Sequence, residues 1–258
     1  MRLRLSACVL LLLALPAAAA PPLRIAAAAN LKPALDALVV AFVQEEPGAS
    51  IDAIYGSSGK LHAQIRNGAP FDLFFSADRD YPQSLADSGH SHGPPRTYAR
   101  GRIVLWSRTR EAEALRLELL EAPAVTRIAI ANPRLAPYGR AAEQALRRSG
   151  LWERIAHKLV YGENIAQTAQ FAASGNTEVG IIALSLALNP ALARSGRHIE
   201  IPEDLHDPIE QDFIITRRGA AHPLASRFAA FVMADAGRAI LQRHGFSAPL
   251  GAKAAGTD

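Results

Sequence analysis

Four short clusters of small and polar residues stand where an apolar, strand-like run gives way to a helical pattern. They are Ala28-Ala29-Asn30-Leu31, Gly56-Ser57-Ser58-Gly59, Asn132-Pro133-Arg134-Leu135-Ala136-Pro137-Tyr138 and Gly162-Glu163-Asn164-Ile165. The first backbone N–H groups of a helix have no partner within it and carry partial positive charge, so a helix start favours an anion. Four such starts offered to one cleft would trap a small tetrahedral oxyanion. Within the clusters, Asn30 can cap a helix or turn its amide NH2 to the cleft. Ser57 and Ser58 can divide capping and O–H donation between them, and Gly59 lets the backbone come close to a ligand. Tyr138 carries a neutral phenolic donor. Ile165 offers only its backbone N–H. Each cluster also has a plain structural reading, as a cap, a turn or a packing tyrosine.

Other chemistries fit the residues less well. Gly56-Ser57-Ser58-Gly59-Lys60-Leu61 has the wrong spacing for a phosphate loop: Ile54 sits where a first glycine is needed, and Leu61 replaces the magnesium-binding hydroxyl. Lys60 then reads as an exposed helix residue. Gly-x-Ser-x-Gly is absent and no Ser-His-Asp order stands out. Two histidines in Gly89-His90-Ser91-His92-Gly93 lack the carboxylates or cysteines that would complete a metal site. Asp78 reads as a turn or cap residue. The enzyme alternative is a serine-dependent hydrolase using Ser58 with Asp78.

The elements that must position these residues alternate between strand and helix, which argues an α/β protein. Leu23 to Ala28 reads as a buried strand. Leu31, Leu35, Leu38 and Phe42 follow helical spacing, and Pro47-Gly48 stops that helix. Strands follow at Ile51 to Tyr55, Asp72 to Ser76 and Arg102 to Trp106. The polar stretch from Asp87 to Pro95 reads as a loop, and the first crossing between lobes is expected near Tyr98–Gly101. The same grammar then repeats, with strands at Arg127 to Ala131, Leu159 to Tyr161 and Glu178 to Ala183, a short one at His198 to Ile201, and a return strand at Asp212 to Thr216. Helices are expected from Tyr138 to Arg148, from Ile165 to Ala173, around Phe228 and from Ala236 to Gly245. The expected division is residues 1–19 as a leader, 20–99 with 217–258 as the first lobe, and 100–216 as the second.

Arg2 and Arg4, the apolar core from Val9 to Leu15, Pro16 and four alanines have the order of an export signal, cut after Ala19. The apolar core is too short to span a bilayer. Leu5-Ser6-Ala7-Cys8 superficially resembles a lipoprotein box, but the apolar core follows the cysteine instead of preceding it, which argues against lipidation. Cys8 is the only cysteine, so without the leader neither a disulfide nor thiol chemistry is available. About 240 remaining residues suffice for a large apolar core in one or two domains. Net charge is +4, and without Arg2 and Arg4 there remain 26 basic against 24 acidic residues. The basic residues are dispersed and have no interleaved aromatics, so nucleic acid is not expected as a partner.

At these residues the chain resembles the molybdate-binding periplasmic proteins of ABC transporters, along essentially all of its length after the leader. The resemblance rests on Ala27-Ala28-Ala29-Asn30-Leu31, on Gly56-Ser57-Ser58-Gly59-Lys60-Leu61 and on the run from Ala69-Pro70-Phe71-Asp72 through Ser76-Ala77-Asp78. It continues in Ala131-Asn132-Pro133, Ala136-Pro137-Tyr138-Gly139, Gly162-Glu163-Asn164-Ile165, Val179-Gly180-Ile181-Ile182 and Arg243-His244-Gly245-Phe246. It implies a class II two-lobed periplasmic binding protein, each lobe a mixed sheet flanked by helices, joined by two crossover segments. It implies a monomeric, non-enzymatic periplasmic receptor that takes molybdate or tungstate, holds no cofactor and docks on a membrane permease. By motif, Asn30 and Ser58 serve the oxyanion from the first lobe, and Tyr138 and Ile165 from the second. Some members carry a tyrosine where this chain has Ala183, and Tyr138 would supply the phenol from the other side. Within the same fold, the alternative ligands are sulfate, thiosulfate and phosphonate.

Overall fold

The computed structural model describes residues 21–251. The expected leader, its cleavage point and Cys8 lie outside the described residues. In chain order the elements are β1 (Leu23–Ala28), α1 (Lys32–Glu45), β2 (Ile51–Gly56), α2 (Ser58–Arg66), β3 (Leu73–Phe75), α3 (Asp80–Asp87), β4 (Arg96–Gly101) and β5 (Ile103–Ser107). Then come β6 (Ile128–Ala131), α4 (Pro137–Arg148), α5 (Trp152–Ile155), β7 (Leu159–Gly162), α6 (Ile165–Ala173), β8 (Val179–Ala183), α7 (Leu184–Ala187) and α8 (Pro190–Ser195). The chain closes with β9 (Arg197–Glu200), β10 (Ile209–Ile215), α9 (Pro223–Met233) and α10 (Asp235–Arg243).

Two five-stranded mixed sheets organise the molecule, in the orders β2-β1-β3-β10-β4 and β7-β6-β8-β5-β9. In the first, β1 runs parallel to β2 and β3 while β10 is antiparallel to β3 and β4. In the second, β6 runs parallel to β7 and β8 while β5 is antiparallel to β8 and β9. The chain passes between sheets at Arg102 and again through residues 201–208. Successive side chains of a strand point to opposite faces, so the continuous apolar runs of β3, β5, β6 and β8 are buried on both, while the edge strands β2, β4, β7 and β9 are partly exposed. In the first sheet Ile25, Ala27, Phe75 and Phe213 pack with Leu35, Leu38, Phe42 and Phe228 of α1 and α9, whereas Ala26, Phe74 and Ile214 pack on the other face with Leu61, Ile65 and Leu85 of α2 and α3. Phe42 meets Phe228 edge-on at 5.1 Å, a favoured aromatic geometry. Among the described residues no helix is long and apolar enough to cross a membrane.

Three sequence expectations differ from this architecture. The return strand Asp212 to Thr216, placed in the second lobe, lies instead, up to Ile215, in β10, between β3 and β4 of the first sheet. An apolar run can join any sheet; the choice is made by its partner, here Phe75, whose ring stacks on Phe213 at 5.1 Å. Tyr98–Gly101, expected as a crossing, is the end of the edge strand β4, whose sequence Arg-Thr-Tyr-Ala-Arg-Gly is too polar to read as a strand. Helix α3 was not foreseen because it buries only Pro82 and Leu85.

The parallel pairs bring the polar clusters together. Ala28 at the end of β1 is in register with Gly56 at the end of β2. Ala131 and Gly162 end β6 and β7 in the same way. Turns beyond the carboxyl ends of parallel strands are where open α/β sheets place ligands.

Candidate functional site

All four clusters meet at one small cavity. Its walls are Ala28, Ala29 and Asn30 from the first, Gly56, Ser57 and Ser58 from the second, Ala136, Pro137 and Tyr138 from the third, Asn164 and Ile165 from the fourth, and Ala77 after β3. The cavity volume is ≈ 10 Å³, the scale of a single water molecule, so an oxyanion enters only as the walls part. No charged side chain is among these walls. The four residues singled out from the sequence, Asn30, Ser58, Tyr138 and Ile165, are therefore brought together.

What each offers follows from its local bonds. Ser58 is buried, and its Oγ accepts from Ala77 N at 3.0 Å, which leaves its own O–H proton unspent. Ser57 is the N-cap residue of α2 but makes no side-chain cap, and its buried Oγ has no protein partner. Asn164 caps α6, its Oδ1 accepting from Ala166 N and Gln167 N at 3.0 Å each. That cap leaves the first amide of the helix, Ile165 N–H, without a backbone partner among the described residues; the N–H groups of Ser58 and Tyr138 at the starts of α2 and α4 are in the same position.

Asn30 and Tyr138 depart from the simple expectation. Asn30 caps nothing: the chain makes a short 3-10 turn over Ala29–Leu31 before α1, and the amide turns inward. Its Nδ2 lies 3.3 Å from Tyr138 Oη and 3.1 Å from Gln211 Oε1. Gln211 Nε2 lies 3.0 Å from the same phenol. As placed, both amide nitrogens donate to the Tyr138 hydroxyl, and neither bond uses its own O–H proton. Burial pushes its ionisation far above the ordinary phenol range, so it stays protonated. The backbone N–H of Tyr138 is a further donor without a backbone partner among the described residues.

Several of these contacts join the two lobes. Gly59 N donates to Leu135 O at 3.0 Å, and Ser185 Oγ at the start of α7 donates to Asn30 O at 2.8 Å. Lys60, half exposed as expected, pairs with Glu163 at 2.8 Å. Arg140 of α4 pairs with Asp78 of the first lobe. Burial raises the Asp78 carboxyl above the usual carboxylate range, against the opposing pull of Ser76 and Arg140. Asp78 also accepts from Ser76 Oγ at 2.7 Å and Tyr81 N at 3.3 Å, as a turn residue does. Its oxygens are committed, and among the described residues no hydrogen bond joins it to Ser58, so the pair a hydrolase would need is not assembled. Nor do three or more His, Cys, Asp or Glu side chains gather as a metal site among those residues.

The sequence reading missed Gln211, Ser185, the Arg140–Asp78 pair and Tyr98, whose Oη lies 2.8 Å from Gln211 Oε1. Only Gln211 carried a signal: a glutamine inside the strand run Ile209–Ile215 is a polar group that must find partners when buried.

Two mixed sheets joined by two crossings, closed over an uncharged chamber of helix starts, define a two-lobed solute receptor. Residues 23–247 match the family described as bacterial extracellular solute-binding protein, and the chain belongs to that family. It is 35% identical over 231 residues to the molybdate-binding protein ModA of Azotobacter vinelandii, covering 89% of this chain and 91% of that one. It is likewise 35% identical over 238 residues to ModA of Rhodobacter capsulatus, covering 91% of each. The solved structure of the Azotobacter vinelandii periplasmic molybdate-binding protein superposes with a TM-score of 0.82 at 32% identity, over 88% of this chain and 99% of that one.

Proposed function

We propose that this chain is an exported, monomeric periplasmic receptor that captures molybdate, and tungstate with it, between its lobes and delivers it to the membrane permease of an ABC transporter. The observation that carries the reading is the uncharged chamber lined by helix starts from both lobes. The similarity to proteins named for molybdate binding supports the same ligand.

The chemistry of the wall suits a bare dianion. Unspent O–H groups of Ser57 and Ser58 and free backbone N–H groups of Ser58, Tyr138 and Ile165 replace the ligand's water with hydrogen bonds. Molybdate has no proton at neutral pH, so a wall of donors suits it, whereas hydrogenphosphate brings a proton that needs an acceptor. Sulfate has the same charge and shape but shorter bonds. A donor shell that closes on the longer metal–oxygen bonds of molybdate would leave sulfate with stretched hydrogen bonds, which weaken steeply. Tungstate is nearly the size of molybdate and is bound alike. Each lobe supplies only part of the shell, so binding favours the closed arrangement by the contacts made there alone. No bond is made or broken in the ligand.

Isothermal titration of the purified protein with molybdate tests this directly. Wild type should bind with one-to-one stoichiometry, and Ser58→Ala should weaken binding by about 1–3 kcal/mol, since one ligand oxygen loses a donor. No binding by wild type overturns the function, and an unchanged affinity in Ser58→Ala removes Ser58 from the site.

A further inference from the structure

Proton counting in the buried network behind the chamber assigns a role to Gln211. Tyr98 Oη lies 3.0 Å from Ser76 O and 2.8 Å from Gln211 Oε1, yet a phenol has one proton and cannot donate to both. Asn30 is fully buried, with both Nδ2 contacts on Tyr138 and Gln211, while its Oδ1 has no partner. A buried amide oxygen without a donor is costly. The two ends of an amide have nearly the same shape and are told apart by their partners.

Exchanging oxygen and nitrogen in Asn30 and Gln211 together removes the conflict at Tyr98 and gives Asn30 Oδ1 a donor, while the Asn30 NH2 takes over the end without a protein partner and has only a bound oxyanion to donate to. Tyr98 then donates its proton to Ser76 O. Gln211 Nε2 donates one proton to Tyr98 Oη and the other to Asn30 Oδ1, and Gln211 Oε1 accepts from the Tyr138 hydroxyl. Every proton in the chain from Ser76 to Tyr138 has an acceptor, and the Asn30 NH2 occupies the end of the amide that no protein group contacts. Asn30 is one of the chamber walls.

We infer that Gln211 is a positioning and specificity-determining residue: by donating to Asn30 Oδ1 it locks the Asn30 NH2 toward the chamber, so that the wall presents only donors. This rests on the oxyanion reading above. The consequence is discrimination by protonation state. With the amide the other way round, Asn30 would present an acceptor, which repels a bare dianion and welcomes the proton of hydrogenphosphate. Gly101 keeps the network compact, because a side chain there would collide with the Tyr138 hydroxyl and the Gln211 amide.

Gln211→Met, similar in size but without the amide, frees Asn30 to rotate. Titrations with molybdate and with inorganic phosphate at neutral pH should show molybdate affinity falling about tenfold and the molybdate-to-phosphate ratio falling at least as much. A role confined to packing would lower the melting temperature and leave that ratio unchanged, which overturns the inference. A second measurement needs no Gln211 variant. In wild type, the side-chain amide protons of Asn30, identified in nitrogen–proton spectra by their loss in Asn30→Ser, should move downfield as molybdate is added. Unmoved Asn30 amide protons on a protein that binds molybdate overturn the assignment. Absence of binding by wild type instead overturns the function on which it rests.

Discussion

Asn30→Asp should all but abolish oxyanion binding at neutral pH while leaving the fold intact. The substitution keeps size and shape and exchanges an amide for a carboxylate in a fully buried position on the chamber wall. Two unit charges about 4 Å apart repel by about 4 kcal/mol at an effective dielectric of about 20, and the ligand carries two charges. The loss should reach at least about 1,000-fold in affinity. A buried carboxylate also resists ionisation, so its proton returns readily as the pH falls. Titrations between neutral and mildly acid pH should therefore show binding to the variant recovering toward acid. Affinity within tenfold of wild type at neutral pH would mean that Asn30 does not face the ligand.

Gly59→Val should block closure and lower affinity by the upper end of an overpacking cost, about 3 kcal/mol or about 150-fold. Gly59 lies in α2 with an ordinary helical backbone, so the fold tolerates a side chain there. A Cβ on Gly59 would stand 2.6 Å from Tyr81 Oη and 3.0 Å from Leu135 O. The tip of Tyr81 can swing aside. The carbonyl of Leu135 belongs to the opposite lobe and can withdraw only if the lobes part. Small-angle scattering should show wild type compacting on addition of molybdate and the variant remaining extended. A variant that compacts and binds like wild type would show that the Gly59–Leu135 contact is not part of closure.

How much of this was legible in the sequence differs from element to element. The four clusters at strand ends were legible because a tight strand-to-helix turn calls for small and polar residues, a local need, although of the four only the last also supplies a side-chain cap. Asn164 is the clear case: its carbonyl caps α6, as an asparagine before a helical stripe predicts. The parallel strands were legible as uninterrupted apolar runs such as Ile25 to Ala28, buried on both faces. Long-range choices were not legible. The place of β10 between β3 and β4 depends on Phe75 lying opposite Phe213, some 140 residues away, a pairing no local pattern encodes. A phenol at a helix start is legible as a donor, whereas the contacts of the Tyr138 hydroxyl with Gln211 and Asn30 depend on how the lobes meet. The resemblance to a known family supplied the ligand, which no residue in the chamber names by itself.

Competitive titration of the wild-type protein with molybdate, tungstate, sulfate and phosphate at neutral pH bears most directly on the idea that a shell of uncharged donors from both lobes selects a large bare dianion. Molybdate and tungstate should bind with closely similar affinity, and sulfate and phosphate far more weakly. Sulfate or phosphate binding as tightly as molybdate would contradict it.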